Sequence, residues 1–237
     1  TRARTPEDRC PACGLLFNKW LKRQIDDARQ TLRPDVRVPR PRSRGRVASG
    51  LGIGLLALLT RVPERTGLAE FAGRVLAWAG LSVWGVYFIF TDWADERGPF
   101  RTIGNSFMHN VNLVFHEAGH VLFIPLGDFM SVAGGSLLQL LVPLAVLLTF
   151  LIRYLNTFAA SVGLWWLAQS CMDLAPYIGD ARRGELLLLG GITGMDAPGY
   201  HDWTNLLERT GLLGLDRTFA AIVDTFGEML MWLAIVW

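Results

Sequence analysis

The stretch Asn112-Leu-Val-Phe-His116-Glu117-Ala-Gly-His120-Val-Leu-Phe-Ile124 decides how the chain reads. Residues four apart on a helix lie one above the other on the same face, so His116 and His120 can grip one metal ion, and zinc is the natural candidate. Glu117 would lie beside the open coordination position, where a carboxylate can take a proton from a zinc-bound water whose pKa has fallen to about 7. That is a hydrolase's equipment. Between Phe107 and Leu126, Glu117 is the only formally charged residue, and a lone ionisable group at membrane depth marks a functional site.

Outward from that helix the composition agrees with a membrane setting. The 237 residues are 51% hydrophobic and 19% charged, too apolar for an average soluble domain. The net charge of +2 hides a division: residues 1 to 46 hold 13 Arg and Lys against 5 acids, and the remainder holds 10 against 16. The basic segment reads as a cytoplasmic arm against anionic lipid headgroups. It is too short, and too directly followed by apolar sequence, to imply a nucleic-acid partner. Three cysteines make no disulfide framework and suggest reduced thiols. Cys10-Pro-Ala-Cys13 is half a zinc ribbon with no second pair at the required spacing, and Gly14 excludes a haem-attachment motif.

In chain order, Leu15, Leu16, Trp20, Leu21, Ile25, Ala28 and Leu32 recur at helical spacing between charged residues, which predicts an amphipathic helix. Residues 33 to 46, with Pro34, Pro39 and Pro41 and six arginines, read as an extended linker. The apolar stretch 47 to 60 is shorter than the roughly 20 residues that cross a bilayer. Five spans are expected beyond it: 68 to 90, with Glu70 and Arg74 near one end; the motif helix 103 to 126; 133 to 152; 157 to 177; and 218 to 237. The fold class is therefore all-α, a polytopic membrane domain over 47 to 237 preceded by the basic arm over 1 to 46. Positive charge places the arm, Arg61, Arg65 and the arginines between 182 and 217 on the cytoplasmic side, and the acidic turn 91 to 99 opposite. Spans 68 to 90 and 157 to 177 then run in opposite senses. The motif helix and span 157 to 177 run in the same sense, so a third ligand belongs near residues 170 to 181.

That window reads Ser170-Cys171-Met-Asp173-Leu-Ala-Pro176-Tyr-Ile-Gly179-Asp180-Ala181. Here the chain resembles the site-2 protease family of intramembrane zinc metalloproteases, which carry H-E-x-x-H on one transmembrane helix and an N-x-x-P…D-G-like motif on a second, parallel one. The resemblance covers about residues 103 to 181. It implies His116 and His120 as zinc ligands, Glu117 as general base and Asp180 as third ligand. The second motif is irregular: Asp173 stands where the family has Asn, Pro176 keeps its offset, and Asp180 is preceded by Gly instead of followed by it. Asp173 is the nearest substitute for Asp180, and His201 or Asp202 in the next loop are further ones. The family also has a Gly-rich start to the intervening span, here Gly134-Gly135-Ser136-Leu-Leu-Gln139. Gly135 and Gln139 would bind substrate backbone, or the small residues would serve close helix packing alone.

Two functions are expected from this. The first is a membrane-embedded zinc metalloprotease, in a bacterial inner membrane, cleaving a transmembrane or membrane-adjacent peptide. The second is a catalytically silent relative that stabilises neighbouring subunits of a larger membrane complex.

Overall fold

The structure, a computed structural model, describes residues 50–62, 66–90, 103–197 and 199–237, with residues 23, 24 and 26. Contacts divide the chain into Thr1–Ala48 and Ser49–Trp237. In the first unit Arg23, Gln24 and Asp26 are helical. The rest of the expected amphipathic helix, Cys10, Cys13, the proline-rich linker and the acidic turn 91 to 99 lie outside the described residues.

The second unit is helical, with no strand among its described residues. Its helices are α1 (Gly50–Leu59), α2 (Leu68–Ile89), α3 (Phe107–Phe123), α4 (Asp128–Leu148), α5 (Thr157–Gly179), α6 (Asp202–Arg209) and α7 (Asp216–Val236). Among the described residues three segments are long and apolar enough to cross a membrane: Leu68–Ile89, Asp128–Arg153 and Leu213–Val236. Their outward residues include Phe71, Leu76, Val83, Leu141, Ile222 and Leu233, all exposed, and a large exposed apolar surface calls for lipid or protein cover. The expected spans over the motif helix and over 157 to 177 are helices but are not in that group. α3 has only 17 residues. α5 carries Gln169, Ser170 and Asp173, polar groups that point inward.

α5 is the centre of the bundle, with Ala160, Leu164, Trp165, Ala168, Met172 and Ile178 all buried. Phe88 of α2 and Met231 and Ala234 of α7 close one cluster around it. Small residues let the neighbours approach: a Cβ on Gly227 would stand 2.9 Å from the Ala168 carbonyl, and one on Gly163 would stand 2.8 Å from the Leu147 amide. At the other side Gly119 of α3 and Gly134 of α4 meet backbone to backbone, where a Cβ on Gly119 would fall 2.1 Å from the Gly134 carbonyl oxygen.

The turns agree with the local sequence. Ser106 caps α3 by accepting from the His109 amide at 3.1 Å. After α4 a π-helical turn, Thr149–Arg153, and Leu155 at φ 52° reverse the chain. Asn156 then caps α5 through the Ala159 amide at 3.1 Å. α4 packs antiparallel to both neighbours, with Gly119 of α3 against Gly134 and His120 against Ser131, and Gly163 of α5 against Leu147. α3 meets α5 in the order His109–Asp173, Asn112–Gln169 and Phe115–Trp166, so the expected common sense of these two helices does not appear in their contacts. α2 departs from expectation. Trp165 Nε1 donates to the Leu81 carbonyl at 2.9 Å, and Arg74 stands 5.6 Å over the Phe158 ring. α2 therefore runs in the same sense as α5, not the opposite one. Packing of Phe88, Trp84 and Trp165 sets that arrangement, and charge at the helix ends does not report on it.

Candidate metal centre

On α3 the 3.6-residue repeat brings His109, Leu113, His116, Glu117 and His120 to one wall of a cavity of about 750 Å³. His116 and His120 project their imidazoles across the bare backbone of Gly135 on α4. A Cβ at Gly135 would stand 2.6 Å from Nε2 of each ring. A glycine is needed at 135 because no larger residue leaves both rings in place.

The outer nitrogen of each ring is already engaged. His116 Nδ1 lies 3.0 Å from Gln139 Oε1, and His120 Nδ1 lies 2.9 Å from the Ser131 carbonyl. A carbonyl can only accept, so Nδ1 carries the proton in both rings and the Nε2 lone pairs are left to bind a cation. The Gln139 amide is oriented in turn, because its Nε2 donates to Asp173 Oδ2 at 3.1 Å.

Both Nε2 atoms converge on Asp202, whose Oδ2 lies 3.0 Å from that of His116 and 3.2 Å from that of His120. One donor atom from each of the three residues falls within 4.8 Å of the others. Burial alone would raise the Asp202 carboxyl; when His116 and His120 are protonated in the metal-free protein, their hydrogen bonds and charge outweigh burial and hold it at about 2. Two imidazoles and a carboxylate, with both rings fixed from behind by acceptors, could hold a metal ion.

Asp202 reaches the centre through a loop held in several places. Tyr177 of α5 accepts the Asp202 amide proton at 2.9 Å and lies edge-on to His116, with ring centroids 5.7 Å apart. His201, almost fully buried, packs tilted against Tyr177 with ring centroids 4.4 Å apart, and its Nδ1 accepts from the Thr204 amide at 3.2 Å to cap α6. Trp203 Nε1 donates to Ser136 Oγ at 3.1 Å, tying α6 to the Gly-rich start of α4.

The acid that joins the two rings is Asp202, and Asp180, expected as third ligand, lies outside the group. Asp180 caps the loop: its Oδ1 accepts from the Glu185 amide at 3.1 Å, its Oδ2 from the Leu186 amide at 2.9 Å, and the same Oδ2 faces His201 Nε2 at 3.6 Å. Its carboxylate is consumed by backbone at the end of α5, one residue beyond the helix. Asp173 is not in the group either. It accepts from Asn112 and Gln139 through Oδ2, at 3.1 Å each, and its Oδ1 lies 3.0 Å from His109 Nδ1. Gly135 and Gln139, expected to meet substrate, lie against His116 and His120, and Gln139 also borders the cavity. Glu117 lines the same cavity.

Sequence reasoning passed over Ser131, Tyr177 and His109. His109 had a legible signal, since it continues the stripe 109, 113, 116, 120 on the motif helix. Ser131 acts through its main-chain carbonyl, which no side-chain pattern shows. No protein-family model, curated protein or solved structure was found to match this chain.

Proposed function

We propose that the chain is a membrane-embedded zinc metalloprotease of the site-2 protease type, with its arm on the cytoplasmic side of a bacterial inner membrane. One observation carries the reading: the two Nε2 atoms of His116 and His120 meet Asp202 Oδ2, with both Nδ1 atoms held by acceptors, beside a cavity that Glu117 also lines. Zinc, when bound there, supplies Lewis acidity toward a peptide carbonyl and acidifies a water. Glu117 accepts the proton of the attacking water and returns it to the leaving amine. Gln139 and the Ser131 carbonyl keep the two rings in the tautomer the centre needs. Leu186 to Leu189, which also line the cavity, suit an apolar segment, and that segment must be unwound, because a helix hides its carbonyls from attack.

The test is metal analysis of the purified protein with activity on co-expressed membrane proteins. About one zinc per chain, lost in His116→Ala and in Asp202→Asn, is expected; Glu117→Gln should keep the zinc and abolish cleavage. Zinc in the wild type with no cleavage would favour the silent subunit, and absence of any metal would sink both.

A further inference from the structure

The cavity extends well past the metal group, and the mechanism above leaves one of its polar residues unused. His109 lines it two helical turns before His116, which is about 10.5 Å along the axis at 1.5 Å per residue. Its Nδ1 lies 3.0 Å from Oδ1 of Asp173, a residue only 5% exposed. The other oxygen of that carboxylate is fully engaged by Asn112 and Gln139. Asn112 is itself fixed, donating to Gln169 Oε1 at 2.8 Å and accepting from Trp166 Nε1 at 2.9 Å. The His109 ring is therefore held on one edge by a rigid buried network. Its Nε2 has no hydrogen-bond partner among the described residues and is the edge left for a ligand.

The rest of the lining says what kind of ligand. Leu113, Leu174 and the run Leu186 to Leu189 are apolar, and Leu187 is 74% exposed. Leu187 forms an isolated antiparallel bridge with Thr193 that closes the turn over Leu188 to Ile192. An extended peptide advances about 3.4 Å per residue, and a chain lying along α3 covers the interval between His116 and His109 in about three residues. Few polar groups in an apolar cleft fix the register of what binds there.

Resting on the function proposed above, we propose that His109 is a substrate-binding residue. Its Nε2 hydrogen-bonds the backbone of an extended apolar peptide about three residues from the bond held at His116, His120 and Asp202. Asp173 is then a positioning residue for two histidines at once: His109 directly and His116 through Gln139.

Apolar peptide hydroxamates of one to five residues test this, because the hydroxamate anchors one end of the ligand on zinc. Two series, extended toward the N-terminal or the C-terminal side, are bound to the full-length, zinc-loaded Glu117→Gln protein in detergent. In one series affinity should rise about fivefold, the scale of one hydrogen bond, when the third residue is added. His109→Ala should abolish that step and leave the one-residue ligand and the zinc content unchanged, and His109→Gln should restore part of it. A length series without a step, or a His109→Ala loss equal for short and long ligands, overturns the assignment while leaving the metal centre standing. Failure of the wild-type chain to bind even the shortest hydroxamate overturns the metal reading and this one with it. If the step depends on His109 but no peptide is cleaved by the wild type, the subsite stands and proteolysis falls.

Discussion

Gln139 Oε1 faces His116 Nδ1 at 3.0 Å while its Nε2 donates to Asp173. One amide thus couples a buried carboxylate to a ring of the candidate metal group. Removing such a partner of a ligand histidine lowers metal affinity by about 10- to 100-fold. Gln139→Leu should do so, measured by competition with a fluorescent zinc chelator. Gln139→Glu, which keeps an acceptor for Nδ1 but presents a carboxylate to Asp173, should keep more affinity than Gln139→Leu only if ring orientation dominates over repulsion between the two acids. Unchanged affinity in Gln139→Leu would remove the amide from the site.

Gly135 gives a steric test of the same centre. An added methyl would stand 2.6 Å from both Nε2 atoms, where the nearest atoms are the donor atoms themselves. Gly135→Ala should therefore lower zinc affinity by at least roughly tenfold, as displaced ligands do, while Gly80→Ala on α2, which meets nothing within 4 Å, should not. Equal zinc content in the two variants would show that the rings do not lie against Gly135.

The two aspartates proposed from sequence and structure separate cleanly by substitution. Asp202→Asn should lose zinc with the helical signal intact. Asp180→Asn keeps the shape but weakens two accepted amide bonds, and should cost about 1–3 kcal/mol of stability, the range for a disturbed buried hydrogen-bonding group, with zinc retained at saturating metal. Thermal melting with zinc analysis on the same samples distinguishes the outcomes; the reverse pattern would reinstate Asp180 as ligand.

The pH dependence of zinc binding follows from the protons each ligand must release. Two imidazoles have to be neutral to bind, so each protonated ring releases one proton when the metal enters. Asp202, held at about 2 by its two histidines, stays ionised throughout. Its depressed value is lost only as pH falls toward 2, so it adds no proton above pH 4. Where both rings are protonated in the metal-free protein, zinc affinity should fall about 100-fold per pH unit, two protons per metal. A slope of three between pH 6 and 4, in a chelator titration, would show a third ligand protonating there.

Much of the design was legible in the residues themselves. The H-E-x-x-H spacing places His116, Glu117 and His120 on one helical face, because the helix repeat is a local property. The chain reversal near Arg153 to Asn156 was equally local, and the apolar runs 68 to 90, 133 to 152 and 218 to 237 correspond to the three segments long and apolar enough to cross a membrane. Gly134 and Gly135 announced close packing by being small. What sequence could not settle was which of several acids completes the centre. Asp173, Asp180 and Asp202 are equivalent as letters, and spacing favoured the one at the end of α5. Tertiary structure brings Asp202 to the histidines, because backbone amides of Glu185 and Leu186 take the Asp180 carboxylate, while Tyr177, His201 and Trp203 carry the loop back over the histidines. The physical reason is that a ligand set is a set of distances between atoms. Residues 116, 120 and 202 become neighbours only when α3, α4 and α5 have packed and the loop after α5 has closed on them.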